Sequence, residues 1–136
     1  MATPHLARIA YASALHAPLS SAALYAMLSQ WRRCNAERAV TGVFLAHHDS
    51  VFHVLEGFPD VVGDLFAAIA RDPRHHSITK LIDEPATQRS FGDWSMGLAR
   101  VVPSADPAFR YWQCDEAMAR ALLAGFTAGP WRRSIS

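Results

Sequence analysis

The sequence predicts an α+β fold of the ferredoxin-like type, a sheet in the order β-α-β-β-α-β-β with two helices on one face. Three observations carry this. Five short apolar runs, rich in β-branched and aromatic residues, occupy residues 8–13, 40–46, 51–55, 78–82 and 94–102. Two stretches of helical periodicity fall after the first and third of these runs. The chain of 136 residues, 51% hydrophobic and 18% charged, suits one compact unit over 1–136, with a core of about 7–102 and a helical cap of about 103–129.

The first run, RIAYAS, alternates Ile9, Tyr11 and Ser13 on one side with Ala10 and Ala12 on the other. Pro18 closes the following loop, and Ser20 or Ser21 supplies a helix cap. Leu24, Met27, Leu28 and Trp31 then fall at i, i+3, i+4 and i+7, an amphipathic stripe. Asn35 sits one turn further on, a polar side chain where the buried stripe ends.

A hairpin follows, its arms separated by the turn formers His47, His48, Asp49 and Ser50. In its second arm Val51, His53 and Leu55 share one side, and Phe52, Val54 and Glu56 the other. Both sides are mostly apolar, the mark of a central strand covered on each face. His53 is the polar exception; read alone, its imidazole titrates near neutrality. Pro59 and Asp60 open a second helix with the stripe Val62, Leu65, Phe66 and Ile69, and Asp72-Pro73 ends it. The fourth and fifth runs complete an antiparallel sheet. Two helices on one face leave the other bare, and the tail is expected to cover it. Phe109, Tyr111 and Trp112 precede a predicted helix over 115–126, with Met118, Leu122 and Phe126 at i, i+4 and i+8.

Composition narrows the function classes. The net charge of +1, with Lys80 the sole lysine, offers no basic footprint for nucleic acid. Cys34 and Cys114 fit no zinc spacing and point to a reducing compartment. Neighbouring histidines on a strand face opposite ways, so neither His47-His48 nor His75-His76 makes a metal site. No Gly-rich phosphate loop or Ser/His/Asp set suggests an enzyme. No apolar run has signal-peptide or membrane-spanning length, so a soluble cytoplasmic protein is expected.

Several separated motifs resemble one family. These are YAS at 11–13, Asn35 with Thr41-Gly42 downstream, FHVLEG at 52–57, DPRHHS at 72–77 and WSMG at 94–97. In this order and spacing, over about residues 8–101, they resemble the BLUF domain, a flavin-binding blue-light sensor module. The resemblance implies a ferredoxin-like fold with FAD (or FMN) held between two helices, no catalytic activity, and signalling through a homo-oligomer or a separate protein partner. It matches Tyr11 to a tyrosine that gives an electron and a proton under blue light, and Asn35 to an asparagine that holds the flavin ring. It places Asp72, Arg74 and His75 near the cofactor's polar edge, and makes Trp94 and Met96 the relaying pair on the fifth strand.

Two positions depart from the family pattern. His53 stands where the family has a switching glutamine, and Ala68 where members often carry a basic residue. A glutamine amide can exchange partners by rotating, whereas imidazole holds its donor and acceptor on opposite sides of a rigid ring. The expected function is therefore a flavin-binding light sensor with an altered or lost photocycle and weakened flavin affinity. The alternative is a BLUF scaffold that works through protein contacts without flavin. Taken singly, each of these residues also has a structural role: Tyr11 and His53 as hydrogen-bonded core groups, Asn35 as a helix cap, Trp94 and Met96 as packing.

Overall fold

The computed structural model describes residues 3–99, 102 and 104–136. Its elements are β1 (Leu6–Leu15), α1 (Ser21–Arg38), β2 (Thr41–His47), β3 (Ser50–Gly57), α2 (Pro59–Ala70), β4 (His75–Ala86), β5 (Gly97–Ala99) and α3 (Glu116–Thr127), with short 3-10 turns at Tyr111–Gln113 and Arg132–Ser134. The sheet order is β4-β1-β3-β2-β5. β3 is the middle strand and every one of its residues is buried, as its two apolar faces require.

Local chemistry sets the helix ends. The Ser20 hydroxyl accepts from the Ala23 N–H at 3.1 Å and opens α1, which closes at Ala39 in the left-handed region, φ 56°. Pro59 starts α2 and Asp60 sits in its first turn. Between the strands of the hairpin, His48 takes a positive φ of 55° in a two-residue turn, with His47 paired to Ser50. Gly42 has no room for a side chain, since a Cβ there would stand 1.9 Å from the Val54 carbonyl oxygen.

Two apolar layers flank the sheet. Ile9, Tyr11, Phe44, Val51 and Leu55 pack under Leu28 of α1 and Val62 of α2. On the opposite face Ala10, Ala12, Leu45, Phe52 and Val54 meet Phe109, Tyr111 and, from α3, Ala119, Leu122 and Phe126. The tail thus covers the face that the first two helices leave open. Of its large apolar residues, Trp112 and Met118 stay on the surface.

The strands differ from expectation in three ways. The sheet is mixed, because β5 runs parallel to β2. A chain that reverses after β4 runs antiparallel to it, and β2 already points that way. β4 is longer than residues 78–82, starting at His75 and including Pro85. It tolerates proline because it is an edge strand, where a missing N–H breaks no ladder on the open side. β5 begins only at Gly97, so Trp94 and Met96 precede it, and residues 100 and 101 of the predicted strand lie outside the described residues.

Candidate functional site

The site grows from the strand register. Tyr11 on β1 and Phe44 on β2 are both cross-strand partners of His53 on β3, which puts three rings in a row on the face beneath α1 and α2. The Tyr11 hydroxyl and His53 Nδ1 are 2.8 Å apart, and His53 Nε2 lies 3.1 Å from the Met96 sulfur. A thioether has no proton to give, so Nε2 carries the hydrogen and Nδ1 accepts from the tyrosine O–H. In the neutral ring this fixes one tautomer, with both nitrogens committed.

Burial controls the protonation of this pair. His53 is 1% exposed, and desolvation, with a smaller contribution from His75, pushes its pKa down to about 3. The expectation of titration near neutrality is overturned by that desolvation. Burial likewise raises the Tyr11 hydroxyl well above its ordinary value, with Asp72 adding to the effect.

A cavity of about 270 Å3 opens between α1 and α2. Tyr11, Asn35, Asp72, Arg74 and His75 all line it, together with Trp31. Asn35 is 3% exposed; its Nδ2 donates to the Ser95 carbonyl at 3.0 Å, and its amide oxygen takes no hydrogen bond among the described residues. His75 Nε2 donates to the Ile69 carbonyl at 2.6 Å, leaving Nδ1 to accept from the Ser13 hydroxyl at 3.0 Å. At the rim Arg74 grips Asp72 through its guanidinium and its backbone N–H, which holds the Asp72 carboxyl below its usual range.

Three predicted site residues stand away from the cavity wall: His53, Trp94 and Met96. The Trp31 indole is stacked over His53 with ring centroids 5.4 Å apart and planes 19° from parallel, and Phe44 meets it edge-on at 5.2 Å. Trp94 packs with the α3-side cluster, under the Arg132 guanidinium at 5.0 Å. Trp94 and Met96, expected as a pair on the fifth strand, both precede β5 and pack in different clusters, Trp94 with the α3 side and Met96 beside His53.

Residues absent from the sequence expectation also shape the site. Arg32 donates to the Met96 carbonyl at 2.8 Å. Glu56, fully buried, accepts from the Ser90 and Phe91 N–H groups at 2.9 and 2.6 Å and from Thr41 at 2.9 Å, with Arg8 3.5 Å away. It thereby anchors the connection that delivers Met96. Trp31 had a visible signal, one helical turn before Asn35, but its stripe position reads equally as core.

The structure is a five-stranded α+β sheet whose helical face holds a polar-ended cavity and a buried tyrosine. Residues 6–97 match the family described as sensors of blue-light using FAD, and the chain belongs to this BLUF family. It is similar to the blue light- and temperature-regulated antirepressor BluF of Escherichia coli, 38% identical over 72 residues, or 53% of this chain and 18% of that protein. It also resembles the photoactivated adenylate cyclase subunit beta of Euglena gracilis, 39% identical over 62 residues, 46% of this chain and 7% of that one. The chain thus spans less than a fifth of these curated relatives. Among solved structures, the photo-activated state of BlsA superposes with TM-score 0.76 at 22% identity, covering 93% of this chain and 97% of that one. The dark state of the BLUF protein BlrB does so with TM-score 0.65 at 27% identity, covering 93% and 88%.

Asn35, whose amide oxygen has no hydrogen bond among the described residues, offers an acceptor on a cavity-lining side chain, and the guanidinium of Arg74 offers a donor at the rim. These groups fit a flavin. The cavity itself lies just below the usual range for ligand pockets, about 300–1,000 Å3.

Proposed function

We propose that this chain binds flavin between α1 and α2 and senses blue light with a photoresponse altered by His53. The observation that supports it is the hydrogen-bonded series Tyr11–His53–Met96, in which a rigid imidazole stands between the tyrosine and the start of β5. Asn35 would hold the ring and Arg74 the polar end, while Tyr11 and His75 form walls. Bound there, flavin supplies blue-light absorption and an excited state able to accept an electron. Tyr11 keeps its proton in the dark and is aimed at His53 Nδ1, which stands in reach of any proton it releases. Met96, through its carbonyl bond to Arg32, links His53 to α1.

Two features weaken this function relative to the family. Ala68 lines the cavity without a donor. One charge-assisted hydrogen bond fewer costs about 1.5–3 kcal/mol, roughly ten- to a hundred-fold in affinity. Flavin affinity in the micromolar range or weaker is expected. His53 in turn has no rotatable amide with which to exchange partners.

The deciding experiment is a light-minus-dark absorption spectrum of the flavin-loaded protein. His53→Gln should recover a reversible red shift that disappears when Tyr11→Phe is added, and the unmodified protein should lack it. A normal red shift in the unmodified protein would overturn the altered-switch reading. The second reading, a scaffold acting through protein contacts without flavin, is favoured by the position of Trp31 over His53. Titration calorimetry with FMN and FAD separates the two: no binding at high concentration leaves only the scaffold. In either case we read the chain as a cytoplasmic, non-catalytic module that signals by self-association or through a separate protein.

A further inference from the structure

We propose that Trp31 decides whether a planar ligand reaches His53, acting as a wall between the cavity and the His53 imidazole and so limiting flavin binding. Three geometric facts carry this. The indole is stacked nearly parallel on the imidazole and meets Phe44 edge-on at 5.2 Å, so it fills the layer that a ligand ring touching His53 would need. Trp31 lines the cavity whereas His53 does not. Trp31 and Asn35 lie one helical turn apart on α1, so a ligand held by the Asn35 amide meets the indole next.

The pairing also has a chemical logic. Imidazole is flat and short, and the indole stacked on it shields it from water. Trp31 is only half-buried and belongs to the outer part of the α1 stripe, so its replacement removes a cover more than a core support. Trp31 is a specificity-determining residue here and takes no part in proton movement.

The inference rests on the flavin reading, and its test has one arm that needs no flavin. In the flavin-free protein, Trp31→Ala should let water reach His53, and its ring titration followed by NMR should move up from the acid range towards 6.5. Among the described residues, the titratable groups facing His53 are Tyr11 and His75; Phe44 and Met96 carry no charge. In calorimetry, Trp31→Ala should bind FMN and FAD about tenfold tighter or more than the unmodified protein, and adding Asn35→Ala should cancel the gain. Trp31→Leu, which keeps an apolar side chain on the α1 stripe but no flat ring over His53, carries the same test if the alanine variant does not fold. A folded Trp31 variant with unchanged or weaker flavin affinity overturns the proposal, while flavin binding by the unmodified protein leaves the sensor reading standing. Absence of binding in every folded variant sinks both.

Discussion

His53 shows how one side chain is redefined by its surroundings. Its pKa of about 3 lies below the unfolded value near 6.5. Between these values the unfolded chain binds a proton that the folded one refuses, so stability is full above about pH 6.5 and falls as pH drops towards 3. The loss amounts to a few kcal/mol. His53→Gln removes the titrating group, and thermal melts from pH 7 to 4 should show a shallower decline than the unmodified protein; parallel curves would contradict this. Tyr11→Phe deletes the only donor to Nδ1 among the described residues and leaves a buried acceptor unpaired. Urea unfolding should show a loss of about 1–3 kcal/mol. The presence of a polar residue at position 53 is legible in the alternation of the strand; its protonation state is not, because that depends on burial by other elements and on His75 of β4.

At the scale of elements, the connection from β4 to β5 is the part least determined by local pattern. Glu56 collects its backbone N–H groups from Ser90 and Phe91 and lies against Arg8 of β1. Glu56→Ala leaves the Ser90 and Phe91 N–H groups without their acceptor, while Arg8 keeps the Ser90 hydroxyl, the Gln88 carbonyl and Glu84. Denaturant unfolding should show a loss of about 1–3 kcal/mol for each group left unpaired. Hydrogen exchange should also rise around Met96 and β5; unchanged protection there would show that the connection holds without the carboxylate. Gly42→Ala drives a Cβ into the Val54 carbonyl, so the β2–β3 pairing must shift, and a marked drop in melting temperature is expected. The helices were readable from caps and stripes alone. The strand limits were not, since β4 gains its length by pairing with β1 along twelve residues, through two register irregularities that no local signal announces.

Across the whole molecule, the sheet is sealed on both faces. The Tyr111 N–H donates to the Ser50 hydroxyl at 3.0 Å, and Arg110 pairs with Asp49, fastening the tail to the β2–β3 turn. Leu98 and Ser136 exchange backbone hydrogen bonds at 3.0 and 2.9 Å, and Arg32 of α1 reaches the Ser136 carbonyl. We therefore expect the tail to behave as part of the domain. Phe126→Ala should destabilise the entire protein in one transition by about 3–5 kcal/mol, and limited proteolysis of the unmodified chain should spare the segment through α3. Rapid cleavage between residues 104 and 115 without loss of stability would separate the tail from the core.

Sequence alone determined the element order, the central place of β3, the two helical stripes and the need for a cover on the second face. Each of these follows from local periodicity and from the rule that apolar surface must be buried. The BLUF relationship was equally legible, because its motifs keep their spacing along the chain. Tertiary structure alone decided that β5 lies parallel to β2, that Trp94 belongs to the opposite face, and that Trp31 covers His53. These are contacts between residues distant in sequence. Their geometry depends on how α1, the sheet and the 87–96 connection pack together, and periodicity carries no information about that.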